Sequence, residues 1–264
     1  MMNSAFKYIY GPVPSWRLGS SLGIDLLTQE EKICNFDCVY CQLGPTKGYT
    51  VERKAYVAIE EVIKELEILP KTRIDYLTFS GRGEPTLASN LGEAIKEVRS
   101  IREEPIAVLT NATLMDRDDV RKDLISADFV VAKLDACSQE SLREINRPAK
   151  GIESSGILKG IKEFKKGFRG KLALQIMFID INRDYVDNFI YLADCIQPDE
   201  IQVNTPLRPC DTNSLAKEDV LRIKDRFISA CGGIHIVSVY DERTAEDIVS
   251  ISDKDTLKRR GKVI

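Results

Sequence analysis

Histidine is almost missing from this chain of 264 residues, which contains His235 alone. Zinc held by cysteines needs further ligands close by, and neither this histidine nor a second cysteine pair at finger-like spacing provides them, which argues against a zinc site. A strong excess of charge is missing too, since the formal net charge is −3. The chain therefore has no general attraction for phosphate backbones, and a nucleic-acid substrate would need a local basic patch.

Long apolar runs are also missing. No stretch reaches the roughly 18 apolar residues that a membrane span needs, and Met1 to Tyr10 lacks the uninterrupted apolar core of a secretory signal. We therefore expect a cytoplasmic protein without membrane contact, whose cysteines serve metal binding or catalysis rather than disulfides. The cysteine count of seven is odd, which fits that expectation.

What the sequence does have is a group of three cysteines, Cys34, Cys38 and Cys41, in the spacing CxxxCxxC. Residues rich in glycine and proline (11–23) precede the group and a turn (42–45) follows it, so the cysteines lie on a loop. An iron–sulfur cluster fits because cysteine thiolates are its usual ligands. Three cysteines on a four-iron cluster leave one iron without a protein ligand, and that iron can bind a substrate or cofactor.

The loop from Cys34 to Cys41, with Tyr40 before its third cysteine, resembles the signature of the radical S-adenosylmethionine (SAM) superfamily. The runs 11–15, 17–19 and 21–25 resemble one branch of it, which groups with wyosine-base tRNA-modifying enzymes. The resemblance implies a [4Fe-4S] cluster on the three cysteines and reductive cleavage of SAM to a 5′-deoxyadenosyl radical that abstracts hydrogen from a substrate. It also implies a reductant such as ferredoxin or flavodoxin as a partner.

Strand and helix patterns alternate along the chain, which indicates parallel strands joined by crossover helices. The predicted strands are 24–27, 74–79, 106–109, 129–134, 172–179, 201–203 and 234–240. The predicted helices are 59–69, 91–101, 116–125, 138–145, 152–166, 184–196 and 217–230. We expect an open, partial TIM-like (β/α)6 barrel over residues 1–240, as the resemblance also implies, and a polar extension over 241–264. A doubly wound open sheet is the alternative.

The candidate site residues follow the ends of the predicted strands, where parallel folds place their active sites. Gly83 and Glu84 follow the second strand, and the resemblance implies that they bind the methionine amino group of SAM. Arg208 is the candidate substrate-binding residue, because its guanidinium suits a carboxylate or a phosphate. The other candidates for the SAM site are Tyr40, Asn111, Lys133, Asp135, Gln175 and Asn204.

Two other functions stay open at this point, a SAM-dependent methyl or alkyl transferase on the same scaffold and a non-catalytic iron–sulfur electron carrier. The substrate is open as well, either a small molecule or a tRNA base, since the basic run 258–262 can meet RNA phosphates. The oligomeric state is open too. Four further cysteines lack the close spacing of a second cluster: Cys137, Cys195, Cys210 and Cys231.

Overall fold

The computed structural model describes residues 6–241 and Ser250. Within them, eight strands form one sheet, and their spatial order equals their order along the chain. The first two strands pair antiparallel, and each later pair of neighbours is parallel. The strands are β1 (Ile9–Ser15), β2 (Gly19–Ile24), β3 (Tyr76–Phe79), β4 (Ile106–Thr110), β5 (Phe129–Lys133), β6 (Lys171–Met177), β7 (Glu200–Asn204) and β8 (His235–Ser238).

Helices connect the parallel strands. Each strand from β2 to β7 is followed by at least one helix before the next strand, which confirms the predicted series of six βα units. Of the predicted extension 241–264, all but Asp241 and Ser250 lie outside the described residues. The helices are α1 (Ile59–Glu67), α2 (Leu91–Ile101), α3 (Asp118–Leu124), α4 (Gln139–Ile145), α5 (Ser154–Gly167), α6 (Val186–Ile196) and α7 (Lys217–Ala230).

The first predicted strand, 24–27, is wrong. The strand of the structure is β2, which ends at Ile24, and Asp25 opens a turn in which its Oδ1 accepts from the backbone N–H of Leu27 at 2.9 Å. A short aspartate side chain that bonds the backbone two residues on favours a turn over a strand.

The β1–β2 hairpin shows why β2 was not predicted from the sequence. Its residues are small, and they make contacts that apolar alternation does not reveal. Ser21 exchanges a buried hydrogen bond of 2.7 Å with Thr78 of β3. Gly23 lies under the ring of Tyr10, where a Cβ atom would come within 2.1 Å of the ring, so only glycine fits between the paired strands.

Most residues within the strands are apolar, apart from buried polar residues such as Ser21, Thr78 and Gln175, and the sheet is the centre of the core. Leu77, Phe79, Val108, Val130 and Ile176 have no exposed side-chain surface. Fully burying such side chains stabilises the fold by about 1.5–3 kcal/mol each. Polar side chains appear where these runs stop, so the carboxyl ends of the parallel strands form a polar edge above an apolar body. No helix of the described residues is long and apolar enough to cross a membrane.

Candidate functional site

The cysteine loop lies directly against the carboxyl end of β3. Ile33 donates its N–H to the carbonyl of Arg82 at 2.9 Å, and Glu84 donates its N–H to the carbonyl of Ile33 at 3.0 Å. Gly83 sits between these two bonds with φ at +154°, and a Cβ atom there would lie 1.6 Å from the Ile33 carbonyl oxygen. Gly83 is therefore required for the close approach of the loop that carries the cysteines.

Cys34 is the first of the three thiols, and amide groups surround it. The backbone N–H of Phe36 lies 3.5 Å from its Sγ, and Asn111 Nδ2 lies 4.0 Å from it. Asn111 also donates from Nδ2 to Asn35 Oδ1 at 2.7 Å, and Asn35 donates to Thr113 Oγ1 at 2.6 Å. These buried bonds tie the cysteine loop to the end of β4.

Cys38 lies beside a second buried network, which holds the end of β5. Asn146 directs Nδ2 towards Cys38 Sγ at 3.3 Å, Tyr40 Oη at 2.9 Å and Asp135 Oδ2 at 3.1 Å. Tyr40 donates its hydroxyl to the same Asp135 oxygen. Asp135 accepts on its other oxygen from the backbone N–H of Met177 at 2.8 Å. The structure thus brings Tyr40 and Asp135 together beside a cysteine.

Cys41 has a cation as its neighbour. Lys32 is buried, and its Nζ lies 3.5 Å from Cys41 Sγ, 2.7 Å from the Gly44 carbonyl and 3.6 Å from Asp37 Oδ1. Each of the three cysteines therefore has at least one N–H donor directed at its sulfur. Thiolate ligands of iron–sulfur clusters are tuned by hydrogen bonds of this kind.

The three thiols fit a four-iron cluster better than a single metal ion. Among the described residues, no three His, Cys, Asp or Glu side chains gather closely enough to hold one ion. A four-iron cluster instead takes each thiolate at a different iron, so the sulfurs do not need to converge. Burial raises the pKa of the Cys38 thiol to about 11 and that of Cys34 still further, so both thiols need a positive partner such as iron to ionise.

Glu84 is buried at the end of β3 and joins it to β4. Its Oε1 accepts from Thr110 Oγ1 at 2.6 Å and from Thr86 Oγ1 and N at 2.7 and 3.1 Å. Its Oε2 accepts from the backbone N–H of Asn111 at 2.6 Å, and a carboxylate oxygen can accept a second hydrogen bond. Burial raises the pKa of Glu84, and the bonds from Asn111, Thr110 and Thr86 oppose that rise. The residue both orders the site and offers one acceptor position.

The remaining predicted SAM-site residues line the next strand ends. Lys133 Nζ lies 3.3 Å from Gln175 Oε1, 3.4 Å from Asp135 Oδ1 and 4.9 Å from the centre of the Tyr40 ring. Gln175 and Asn204 line a cavity of about 340 Å³ together with Tyr40 and Cys41. The cavity therefore reaches from the cysteine loop across the ends of β6 and β7.

Arg208, the predicted substrate-binding residue, lines the same cavity. It is half-buried, and its Nη1 donates to Gln42 Oε1, on the residue after Cys41. Removal from water lowers the pKa of Arg208, although the group stays charged at any ordinary pH. Arg208 thus contacts the residue that directly follows the last cysteine of the loop.

Comparison with known proteins places this arrangement in a family. Residues 32–193, more than half of the chain, match the family described as the radical SAM superfamily. The chain belongs to the radical SAM superfamily. It is also 41% identical over 209 residues to UPF0026 protein slr1464 of Synechocystis, a match that covers 79% of this chain and 78% of that protein.

Solved structures of proteins with bound S-adenosylmethionine share the fold. Native anSMEcpe with bound AdoMet superposes with a TM-score of 0.61 at 19% identity, over 83% of this chain and 64% of that one. SuiB of Streptococcus suis bound to S-adenosylmethionine gives 0.60 at 14% identity, over 79% of this chain and 48% of SuiB. The chain thus spans about half to two-thirds of these proteins, and the likeness confirms the predicted partial barrel.

Three residues beside the cysteines were missed from the sequence: Lys32, Asn35 and Asn146. Asn146 acts on Cys38 across 108 residues of sequence, and Asn35 acts on Asn111 across 76. No local sequence pattern indicates contacts between side chains so far apart along the chain. For Lys32 a signal did exist, since a lysine two residues before a cysteine group is a near neighbour of the thiolates.

Proposed function

We propose that this protein is a radical SAM enzyme whose Cys34, Cys38 and Cys41 hold a [4Fe-4S] cluster and whose strand ends bind SAM. The single observation that supports it best is the set of N–H donors directed at the three sulfurs, from Asn111, Asn146 and Lys32. When bound, the cluster supplies the electron that cleaves SAM to methionine and a 5′-deoxyadenosyl radical, which abstracts hydrogen from the substrate.

The residues of the chain bind and orient SAM in this proposal. Glu84 accepts from the methionine ammonium with the position left on Oε2, while Thr86 and Thr110 hold its carboxylate in place. Lys133 offers a compact positive charge for the methionine carboxylate. Asn111, Asp135, Gln175 and Asn204, together with Tyr40 on the cysteine loop, would bind the remainder of SAM.

The buried network around Asp135 serves a second purpose, which is order. Because Asp135 accepts from Tyr40, Asn146 and Met177, its carboxylate cannot turn without breaking several bonds. A preorganised polar surface costs no rearrangement when the reaction occurs.

Anaerobic reconstitution tests the proposal. The purified protein is loaded with iron and sulfide, given SAM and dithionite, and its products are separated by mass spectrometry. We expect 5′-deoxyadenosine and methionine. S-adenosylhomocysteine or methylthioadenosine in their place would favour the methyl or alkyl transferase, and unchanged SAM would favour an electron carrier.

The control for this experiment is Cys231→Ala, which alters a buried cysteine at the end of α7, far along the chain from the loop. It keeps all three proposed ligands and should retain product formation. The substrate itself can be sought by incubating the active protein with separate small-molecule and tRNA fractions of a cell extract. The basic run 258–262, which supported tRNA, lies outside the described residues.

A further inference from the structure

Two cavities share part of their walls. The one described above measures about 340 Å³ and contains Cys41 in its wall. The other measures about 220 Å³ and extends between the β1–β2 hairpin and β3, where Ser21 and Thr78 line it. Four residues line both cavities and so form their shared border: Trp16, Arg17, Gln42 and Arg208.

The charge of these cavities is of one sign. Of the described residues that line either one, Arg17 and Arg208 are the charged members, and no aspartate or glutamate is among them. This contrasts with the chain as a whole, whose formal net charge is −3. Arg208 therefore gives the shared wall of the cavities a positive charge that attracts anions to an otherwise acidic protein.

Arg208 differs in its partner from Arg53 and Arg102, which are also partly buried. Arg53 donates to the carboxylates of Asp119 and Asp123, and Arg102 donates to Glu104. Arg208 donates to Gln42, a neutral amide, and forms no ion pair with a described residue. A partly desolvated cation without a counter-charge carries a free-energy cost, which a bound anion offsets.

We propose that the shared border of the two cavities binds the carboxylate or phosphate group of a small-molecule substrate, with Arg208 as its main partner. The inference rests on the proposed function, since it makes the second cavity the substrate side of the same site. Trp16, the only tryptophan of the chain, lies on this border and offers an aromatic face to the body of the ligand.

Gln42 gives the binding event a route to the cysteine loop. An anion bound through Nη1 would compete with Gln42 Oε1 for this donor, and Gln42 directly follows Cys41. Loss of the bond to Gln42 is therefore the change through which anion binding would reach the segment next to the third cysteine.

Calorimetry on the reconstituted protein tests the proposal. Inorganic pyrophosphate and citrate are titrated separately, first without SAM and then with saturating SAM, into wild type and into the Arg208→Gln and Arg208→Lys variants. Wild type should bind at least one probe, Arg208→Gln should bind it at least tenfold more weakly, and Arg208→Lys should fall between them. Arg143→Gln removes an equal charge from exposed α4, lines neither cavity, and should match wild type.

Two further readouts keep the test decisive. Trp16 fluorescence should change along the same binding curve, because the residue reports on the border alone. Gln42→Ala, which removes the competing neutral acceptor, should bind the probe more tightly than wild type. Gln42→Ala should raise the affinity for the probe, whereas Arg208→Gln should lower it. The Gln42→Ala result therefore still tests the proposal if Arg208→Gln unfolds at a low temperature.

Several outcomes would overturn the inference: no binding of either probe, equal affinity in Arg208→Gln, weaker binding in Gln42→Ala, or displacement of the probe by SAM. The last would assign Arg208 to the SAM carboxylate. If the protein binds the anion through Arg208 but forms no 5′-deoxyadenosine, the proposed function is wrong and the anion site stands. If it forms 5′-deoxyadenosine but does not bind the anion, the anion site is wrong and the proposed function stands.

Discussion

The two sides of the barrel mouth differ in how their polar side chains are partnered. On the side of β3 to β5, Glu84 and Asp135 each accept from three residues of the protein and are almost fully buried. On the side of β7 and the β1–β2 hairpin, Arg208 has one neutral partner and borders two cavities. The first side is rigidly built and the second is open.

This difference matches what each side is proposed to do. A cluster and SAM need fixed geometry, and a network in which every member is bonded supplies it. A substrate must enter and leave, so its site needs room and a charge that a ligand can satisfy. The comparison predicts that equivalent substitutions act on cofactor retention and stability at the first side, and on ligand affinity at the second.

The largest effect should come from Cys38→Ala. Loss of one of three thiolates should leave no stable cluster, so bound iron should fall from about four atoms per chain to near zero after anaerobic desalting. Iron and sulfide assays measure the change, and Cys195→Ala on α6 is the matched control that should keep its iron. Wild-type iron in Cys38→Ala would refute the ligand assignment.

Glu84→Gln should have the next largest effect, on SAM affinity. It keeps the size of the side chain but loses the charged acceptor, which should weaken SAM binding by about 1.5–3 kcal/mol. Equilibrium dialysis of labelled SAM with reconstituted protein measures it, and Glu93→Gln on the exposed face of α2 should bind as wild type does. Unchanged SAM affinity in Glu84→Gln would mean that Glu84 orders the strand ends and does not bind SAM.

A pair of substitutions compares the stability of the two sides. Asp135→Ala leaves Tyr40, Asn146 and the N–H of Met177 without their acceptor, which should cost about 1–3 kcal/mol of unfolding free energy. Arg208→Gln should change it by less than about 0.5 kcal/mol, because the lost hydrogen bond to Gln42 is offset by removal of a partly buried charge. Urea unfolding of the two variants measures both. Equal losses would erase the distinction between a rigid and an open side.

The strand ends could be predicted from the sequence because alternating strands and helices indicate a parallel sheet, in which the carboxyl ends of the strands lie at one edge. Asn111, Lys133, Asp135, Gln175 and Asn204 all lie there, since each follows or ends an apolar run whose direction is fixed by the crossover helices. These positions depend on local patterns, which a single sequence contains.

The parts of the site that were not predicted from the sequence depend on contacts between segments that are distant along the chain. Asn146 is the C-cap of α4, and its contacts with Cys38, Tyr40 and Asp135 cross about a hundred residues of sequence or join separate elements. Gly83, which the resemblance assigns to the SAM amino group, also makes room for Ile33 in the structure. Neither contact could be predicted from the neighbouring residues in the sequence.

Electron paramagnetic resonance of the reduced cluster, recorded with and without SAM, tests the central claim most directly. Three cysteine ligands leave one iron open, so added SAM should shift the g-values of the reduced protein, and Glu84→Gln should need more SAM for the same shift. A reduced four-iron signal that SAM leaves unchanged at saturating concentration would contradict the account, because it would mean that the open iron and the strand ends do not form one site.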